Sequence, residues 1–152
     1  MRYVRSMMLA AGLALLGLAQ AAQAQSGLEL KVYTGRGANG YDVNSALILG
    51  EKDALLIDAQ LTLSEAHRLA AMILESKKNL TAIYITHPHP DHYFGLAVLR
   101  QAFPQAKIVA LPHTVAGIRN GWAGRQQFWT HTYGNKLPGP EPILPDELPN
   151  PV

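Results

Sequence analysis

Cysteine is absent from the 152-residue sequence. The protein therefore forms no disulfide bonds, and a lipid anchor attached to a cysteine is excluded. Apolar residues make up 48% of the chain, a share typical of globular proteins, and the length suits one domain with its own core. Stability is expected to come from that core and from any metal that the protein binds.

The chain also has no net charge once the N-terminal segment is left out. The net charge of +2 comes from Arg2 and Arg5, and the rest of the chain has eleven basic and eleven acidic residues. A sequence pI of 9.0 is therefore no argument for a nucleic-acid partner, and none is expected.

The N-terminal apolar run, Met7–Ala19, is thirteen residues long, whereas a membrane-spanning helix needs about 20. Arg2 and Arg5 precede this run, and the small-residue pattern Ala-Gln-Ala ends at Ala24. Residues 1–24 are therefore predicted to be a cleaved secretory signal, with a retained membrane anchor as the alternative. The mature protein is expected to be periplasmic or secreted by a bacterium, without membrane attachment.

Hydrophobic patterns predict a mixed α/β domain over residues 25–137. The predicted strands are Leu28–Thr34, Val43–Leu49, Ala54–Ala59, Thr81–Thr86 and Lys107–Leu111. Predicted helices begin at Thr62, Gly95 and Pro112, and the last is expected to end at Gly121. The aromatic segment from Gly121 to Tyr133 is expected to pack on the core as irregular chain or to line a substrate pocket. Residues 138–152 contain six prolines and are predicted to be an extended tail.

The stretch Ile85–Gly95 contains three of the six histidines. His87 and His89 each precede a proline, which favours extended backbone, and side chains two apart on extended chain point the same way. These two imidazoles are therefore expected to face one metal ion. Asp91 and His92 are adjacent, so both cannot point there; they serve a second ion, or one of them binds metal while the other supports it.

The pattern His-x-His-x-Asp-His after a strand, with Gly95 following, resembles the metallo-β-lactamase superfamily. The resemblance implies an α/β (α+β) fold that corresponds to the N-terminal half of an αββα sandwich. It also implies two Zn²⁺ ions, with His87 and His89 on the first and Asp91 and His92 on the second. Asp91 would be the catalytic carboxylate that orients the hydroxide or carries a proton.

By the same resemblance, a metal-bound hydroxide would attack the carbonyl of a small molecule: a β-lactam, a lactone, or another ester or amide. Asp58 would lie beneath the metal loop and support it. The family commonly has a glycine where this sequence has Ala59-Gln60, which leaves the local turn open. Imidazole and carboxylate ligands also suit iron and manganese.

The family's remaining metal ligands come from well downstream of the motif, whereas 60 residues follow His92 here. Of the later histidines, His113 and His131, neither has a strong claim to be a ligand. The sequence is therefore expected to be an N-terminal portion of the fold. The alternatives to a hydrolase are a catalytically incompetent fragment with weak metal binding and a non-hydrolytic enzyme on the same fold.

Overall fold

The computed structural model describes residues 27–37 and 41–149. The predicted secretory signal lies outside the described residues. Among those residues, no helix has the length and apolar character needed to cross a membrane.

The described chain opens with three strands, helices separate the later strands, and the predicted elements follow one another in the predicted order. The strands are β1 (Glu29–Thr34), β2 (Asn44–Leu49), β3 (Asp53–Ile57), β4 (Asn79–Ile85), β5 (Lys107–Ala110) and β6 (Asp146–Glu147). The helices are α1 (Leu63–Glu75), α2 (Pro90–Tyr93), α3 (Leu96–Ala102) and α4 (Pro112–Tyr133), with a 3₁₀ turn at Gly134–Lys136.

All six strands form one sheet in chain order, β1 to β6. The pairs β1–β2 and β2–β3 are antiparallel, as expected for the hairpins that short turns produce. The pairs β3–β4, β4–β5 and β5–β6 are parallel. The α/β fold is thereby confirmed, and within the described residues the proline-rich tail adds the two-residue strand β6 at the edge of the sheet.

The two faces of the sheet differ in burial because strand side chains alternate. The face that packs against the helices is buried along the central strands; its buried residues include Leu47, Leu56, Ile83 and Ile108. The opposite face is also apolar but only half-buried. Its central residues are Ile48, Leu55, Ile57, Ala82, Tyr84 and Val109.

Helix α4 has 22 residues and runs to Tyr133, so the prediction of a short helix followed by an irregular aromatic segment was wrong. Glycines lower helix propensity, but close packing accounts for Gly117. A Cβ there would lie 2.7 Å from Cγ of Pro88. Arg125 further stabilises the helix, since its Nη1 donates to the carbonyl of Gly117 at 2.7 Å.

Helix α1 begins at its predicted cap, where Thr62 Oγ1 accepts a hydrogen bond from the Glu65 backbone. Glu65 is 4% exposed although it is charged. Its carboxylate accepts hydrogen bonds from the Tyr33 hydroxyl on β1 and from Arg68. A buried carboxylate needs such partners, so this cluster ties α1 to the outer strand of the sheet.

Tyr33→Phe is expected to lower the free energy of unfolding by about 1–3 kcal/mol, because the Glu65 carboxylate loses a donor. Burial, followed by the hydrogen bond to Glu65, raises the pKa of Tyr33 to about 12. The folded chain therefore keeps the phenolic proton at pH values where the unfolded chain loses it. This contribution is complete below about pH 10 and is lost as the pH rises toward 12.

Urea unfolding between pH 8 and 12 measures both effects. The difference in stability between the original chain and Tyr33→Phe should shrink across this range. Tyr41→Phe serves as the control, because the Tyr41 side chain is largely exposed. A difference that stays constant with pH would contradict the assigned role of the Tyr33 hydroxyl.

Candidate metal centre

The candidate centre forms where the parallel strands β3 and β4 end side by side. Asp58 follows β3, and its backbone N–H donates to the carbonyl of Tyr84 on β4 at 2.9 Å. Because the carboxyl ends of parallel strands meet at one edge of a sheet, Asp58 lies next to Thr86, where the histidine loop begins.

Asp58 is 5% exposed and accepts hydrogen bonds from three donors of this loop. The Thr86 backbone N–H donates to Oδ1 at 2.9 Å, and the Thr86 hydroxyl bonds to Oδ2 at 2.8 Å. The Nδ1 atom of His92 lies 2.8 Å from Oδ2 and is the third donor. These contacts place Asp58 beneath the loop, where the resemblance expected a supporting residue.

The first pair of ligand atoms is His87 Nε2 and His89 Nδ1, which are 3.2 Å apart. Two nitrogens bound to one tetrahedral zinc at 2.0–2.1 Å are separated by about 3.3–3.4 Å. The backbone at His89 is extended, with φ −93° and ψ 137°, as the following proline predicts. The expected convergence of these two imidazoles is therefore present in the structure.

Hydrogen bonding at Nδ1 of His87 leaves its Nε2 atom available to bind a metal. The Thr86 hydroxyl gives its hydrogen to Asp58, so it accepts from His87 Nδ1 at 2.8 Å. A neutral imidazole protonated at Nδ1 has its lone pair on Nε2. Sequence reasoning missed Thr86, since nothing distinguishes this threonine in the sequence from any other residue at the end of a strand.

The second pair is His92 Nε2 and Asp91 Oδ2, which lie 3.4 Å apart. Asp58 holds His92 through Nδ1, so Nε2 is the nitrogen that faces Asp91. The rings of His87 and His92 have centroids 4.0 Å apart, which puts the two pairs side by side. The imidazole and carboxylate donors fit zinc, and His87 and His92 are each oriented by a hydrogen bond from the other ring nitrogen.

The charges of the loop residues are coupled. Burial lowers the pKa of His92, but its bonds to Asp58 and Asp91 outweigh burial and raise that pKa to about 9. Burial and the neighbouring His92 and His89 lower the pKa of His87. Burial raises the pKa of Asp91, but the hydrogen bond and charge of His92 prevail and lower it. Metal binding at the second pair therefore has to displace a proton from His92.

Asp58, His87 and His92 also form a group whose ligand-type atoms lie within 4.8 Å of one another. The oxygens of Asp58 already accept from three donors, so the carboxylate orients the imidazoles better than it could bind a metal. Neither His113 nor His131 belongs to such a group in the part of the chain that the structure describes. Both side chains are exposed on α4.

The floor of the loop is the turn after β3. The Ala59 N–H donates to the carbonyl of His92 at 2.8 Å, and the Gly95 N–H donates to the carbonyl of Gln60 at 2.9 Å. Gln60 has φ +73°, a left-handed conformation that favours glycine. Its buried amide donates to Val43 and Ser45, which fixes the turn from below.

Most of the chain matches a known protein family. A family model described as the metallo-beta-lactamase superfamily matches residues 38–152. The B3 metallo-beta-lactamase BLEG-1 has a similar fold, with a TM-score of 0.54 and 16% sequence identity. That alignment covers 81% of this chain and 54% of the BLEG-1 chain.

Two curated relatives match shorter stretches. An "Exodeoxyribonuclease WalJ" of Streptococcus pneumoniae is 38% identical over 66 residues, which are 43% of this chain and 24% of that protein. A "Hydroxyacylglutathione hydrolase" of Actinobacillus pleuropneumoniae is 34% identical over 70 residues, 46% of this chain and 28% of that protein. The aligned part is thus about a quarter of the length of these relatives.

Proposed function

Because the chain belongs to the metallo-β-lactamase superfamily, we propose that it is the zinc-binding part of an exported hydrolase. The proposed substrates are small carbonyl compounds: a β-lactam, a lactone, or another ester or amide. The observation that carries the proposal is the pairing of ligand atoms at 3.2 Å and 3.4 Å on adjacent faces of one loop. The proposed export rests on the signal-like composition of residues 1–24.

In this proposal, His87 and His89 hold one zinc ion, and Asp91 and His92 hold a second. Zinc in such sites lowers the pKa of coordinated water toward ~7 and polarises a substrate carbonyl. Asp58 and Thr86 keep the histidine rings in the orientation that presents Nε2 at His87 and His92. The lowered pKa of Asp91 keeps its carboxylate ionised, so Asp91 would serve as a ligand of the second ion and would orient water bound there through a hydrogen bond.

A small-molecule substrate is favoured over a nucleic acid, although one relative bears the name of an exodeoxyribonuclease. Binding to a phosphate backbone relies on clustered lysine and arginine. Beyond the signal-like segment this chain has equal numbers of basic and acidic residues.

His89→Ala is expected to abolish zinc retention at the first pair, because one imidazole alone makes a weak site. The zinc content of the purified full chain, measured by mass spectrometry, and its affinity, measured by chelator competition, test this. His131→Ala is the matched control, since this exposed histidine of α4 lies outside the ligand group. Equal zinc retention in His89→Ala and the original chain would refute the ligand assignment.

A metal binder without turnover is the second candidate, because each pair supplies two protein ligands whereas a catalytic zinc usually has three. A chromogenic β-lactam, a homoserine lactone and p-nitrophenyl acetate, each offered to the zinc-loaded chain, separate the candidates. Turnover that His89→Ala removes supports the hydrolase. Stoichiometric zinc without turnover of any of the three supports the metal binder.

A further inference from the structure

Strand β1 forms one edge of the sheet. Within residues 27–37 and 41–149 it pairs with β2 alone, so the backbone groups on its outer side have no partner strand. The Gly35 N–H donates to the carbonyl of Val43, on the β2 side, at 2.9 Å. Because the direction of these groups alternates along an antiparallel strand, Leu28, Leu30 and Val32 present their N–H and C=O groups outward.

The side chains at these outward positions are apolar and exposed. Leu28, Leu30 and Val32 are 77%, 62% and 55% exposed. Edge strands that resist pairing are very short or carry charge. The opposite edge of this sheet follows that rule, since β6 has two residues and both are acidic. In contrast, β1 is a regular six-residue strand with one apolar face, and it is the edge that another strand can extend.

The other face of β1 carries two opposite charges. The exposed side chains of Glu29 and Lys31 form an ion pair within the strand, with Nζ and Oε1 3.6 Å apart. Such exposed pairs contribute little to stability, so an exchange of partners has little cost. The two charges lie on either side of Leu30. A two-fold axis through Leu30 would therefore bring Glu29 of each copy opposite Lys31 of the other.

We propose that β1 is a homodimer interface, in which two copies of the chain pair antiparallel about Leu30. In this register Leu30 faces Leu30 of the second copy and Leu28 faces Val32, so the outward backbone groups bond to one another. Glu29 and Lys31 of opposite copies meet at non-hydrogen-bonded positions, where Cα atoms are about 4.5 Å apart and side chains are closest. Pairing about Lys31 instead would set two lysines opposite each other, which is unfavourable.

The charge complementarity is a property of the β1 sequence paired with itself. It therefore favours a second copy of this chain over a strand of a different protein. The apolar side chains of both copies share one face of the joined sheet, which reduces their exposure to water. The interface does not depend on the proposed hydrolase function, since β1 contributes no residue to the metal centre.

Sedimentation velocity of the purified full chain, from low to high micromolar concentration, measures the association. One strand is a small interface, so a dimer with a micromolar Kd is expected. Glu29→Lys and Lys31→Glu should each raise Kd by about tenfold, because both cross-strand pairs then become pairs of like charge. A chain that is monomeric throughout would overturn the proposal, and so would variants that associate as strongly as the original chain.

The same charge changes elsewhere on the surface provide matched controls. Glu75→Lys on α1 and Arg100→Glu on α3 alter exposed residues away from β1. Both should associate with the Kd of the original chain. Equal weakening by these controls would trace the effect to net charge and overturn the proposal.

An equal mixture of Glu29→Lys and Lys31→Glu tests the register. One variant carries two lysines on this face and the other carries two glutamates, so every cross-strand pair in the mixed dimer is again of opposite charge. Within each copy the charges stay alike, so recovery cannot come from the ion pair inside the strand. The mixture should associate near the Kd of the original chain. A mixture that associates no more tightly than the separate variants would overturn the proposal, as expected if the half-buried sheet face or the signal-like segment held the copies together.

Amide hydrogen exchange locates the interface without a substitution. The N–H groups of Leu30 and Val32 should exchange more slowly as the protein concentration rises, because pairing occupies them. If the chain dimerised while exchange at both residues stayed independent of concentration, the interface would lie elsewhere and the proposal would be wrong.

Discussion

Gly95→Ala is expected to prevent the metal loop from docking on the turn after β3. An added Cβ would overlap the carbonyl oxygen of Ala59 and lie 2.9 Å from Cβ of Ala66. Because the overlap is with backbone, no side-chain rotation relieves it. The backbone N–H of the same residue, Ala59, donates a hydrogen bond to the carbonyl of His92. A loss of about 4 kcal/mol or more is expected, a large part of a small domain's stability. Urea unfolding and zinc content are the measurements.

Gly124→Ala is the matched control. Gly124 lies within α4, and an added Cβ there would meet nothing within 4 Å. Alanine in a helix interior is more stable than glycine by about 0.5–1 kcal/mol, so this variant should be slightly stabilised. If Gly95→Ala unfolded at the same urea concentration as Gly124→Ala, the close approach of Gly95 to Ala59 would be wrong.

The convergence of His87 and His89 could be predicted because it depends on local rules. Proline after each histidine restricts the backbone, and two-residue spacing on extended chain fixes the side-chain direction. The structure gives 3.2 Å between the facing nitrogens. The strands and α1 were predictable for the same reason: alternation and capping act over a few residues.

The length of α4 could not be predicted, because its second half depends on contacts with distant segments. Glycines within a sequence lower its helix propensity, and three of them lie in this helix. In the fold, Gly117 allows contact with Pro88, and Trp129 packs on Tyr41. Tertiary packing therefore extends the helix beyond the point that propensity indicates.

The support of the histidines was predictable in part. The position of Asp58 at a strand end, together with the family resemblance, indicated a carboxylate beneath the loop. The hydrogen bonds of Thr86 to Asp58 and His87 could not be predicted, because they depend on how β3 and β4 align. The sequence did not predict the conformation of the turn at Gln60. In the structure Gln60 has a left-handed conformation although it is not glycine.

Asp58→Asn is expected to weaken zinc binding by about 10–100-fold, the usual effect of removing a group that orients a metal-bound histidine. Asparagine tolerates the φ of +62° at this position, so the backbone is preserved. One amide oxygen can still accept from the Thr86 N–H. The amide NH₂, however, would face His92 Nδ1, which must then become an acceptor. The imidazole proton would move to Nε2 and occupy the position that the metal requires.

Asp53→Asn is the control for the loss of one negative charge. Asp53 is exposed at the start of β3, the strand that Asp58 follows, and its replacement should leave zinc affinity unchanged. Chelator competition on folded protein separates the two roles that Asp58 could have. An orienting carboxylate predicts lower affinity with the same number of zinc ions bound at saturation. A carboxylate that itself binds metal together with His87 and His92 predicts fewer ions at saturation. Unchanged zinc affinity in Asp58→Asn would contradict both roles. The Asp58 carboxylate would then neither bind the metal nor determine which nitrogen of His92 faces it.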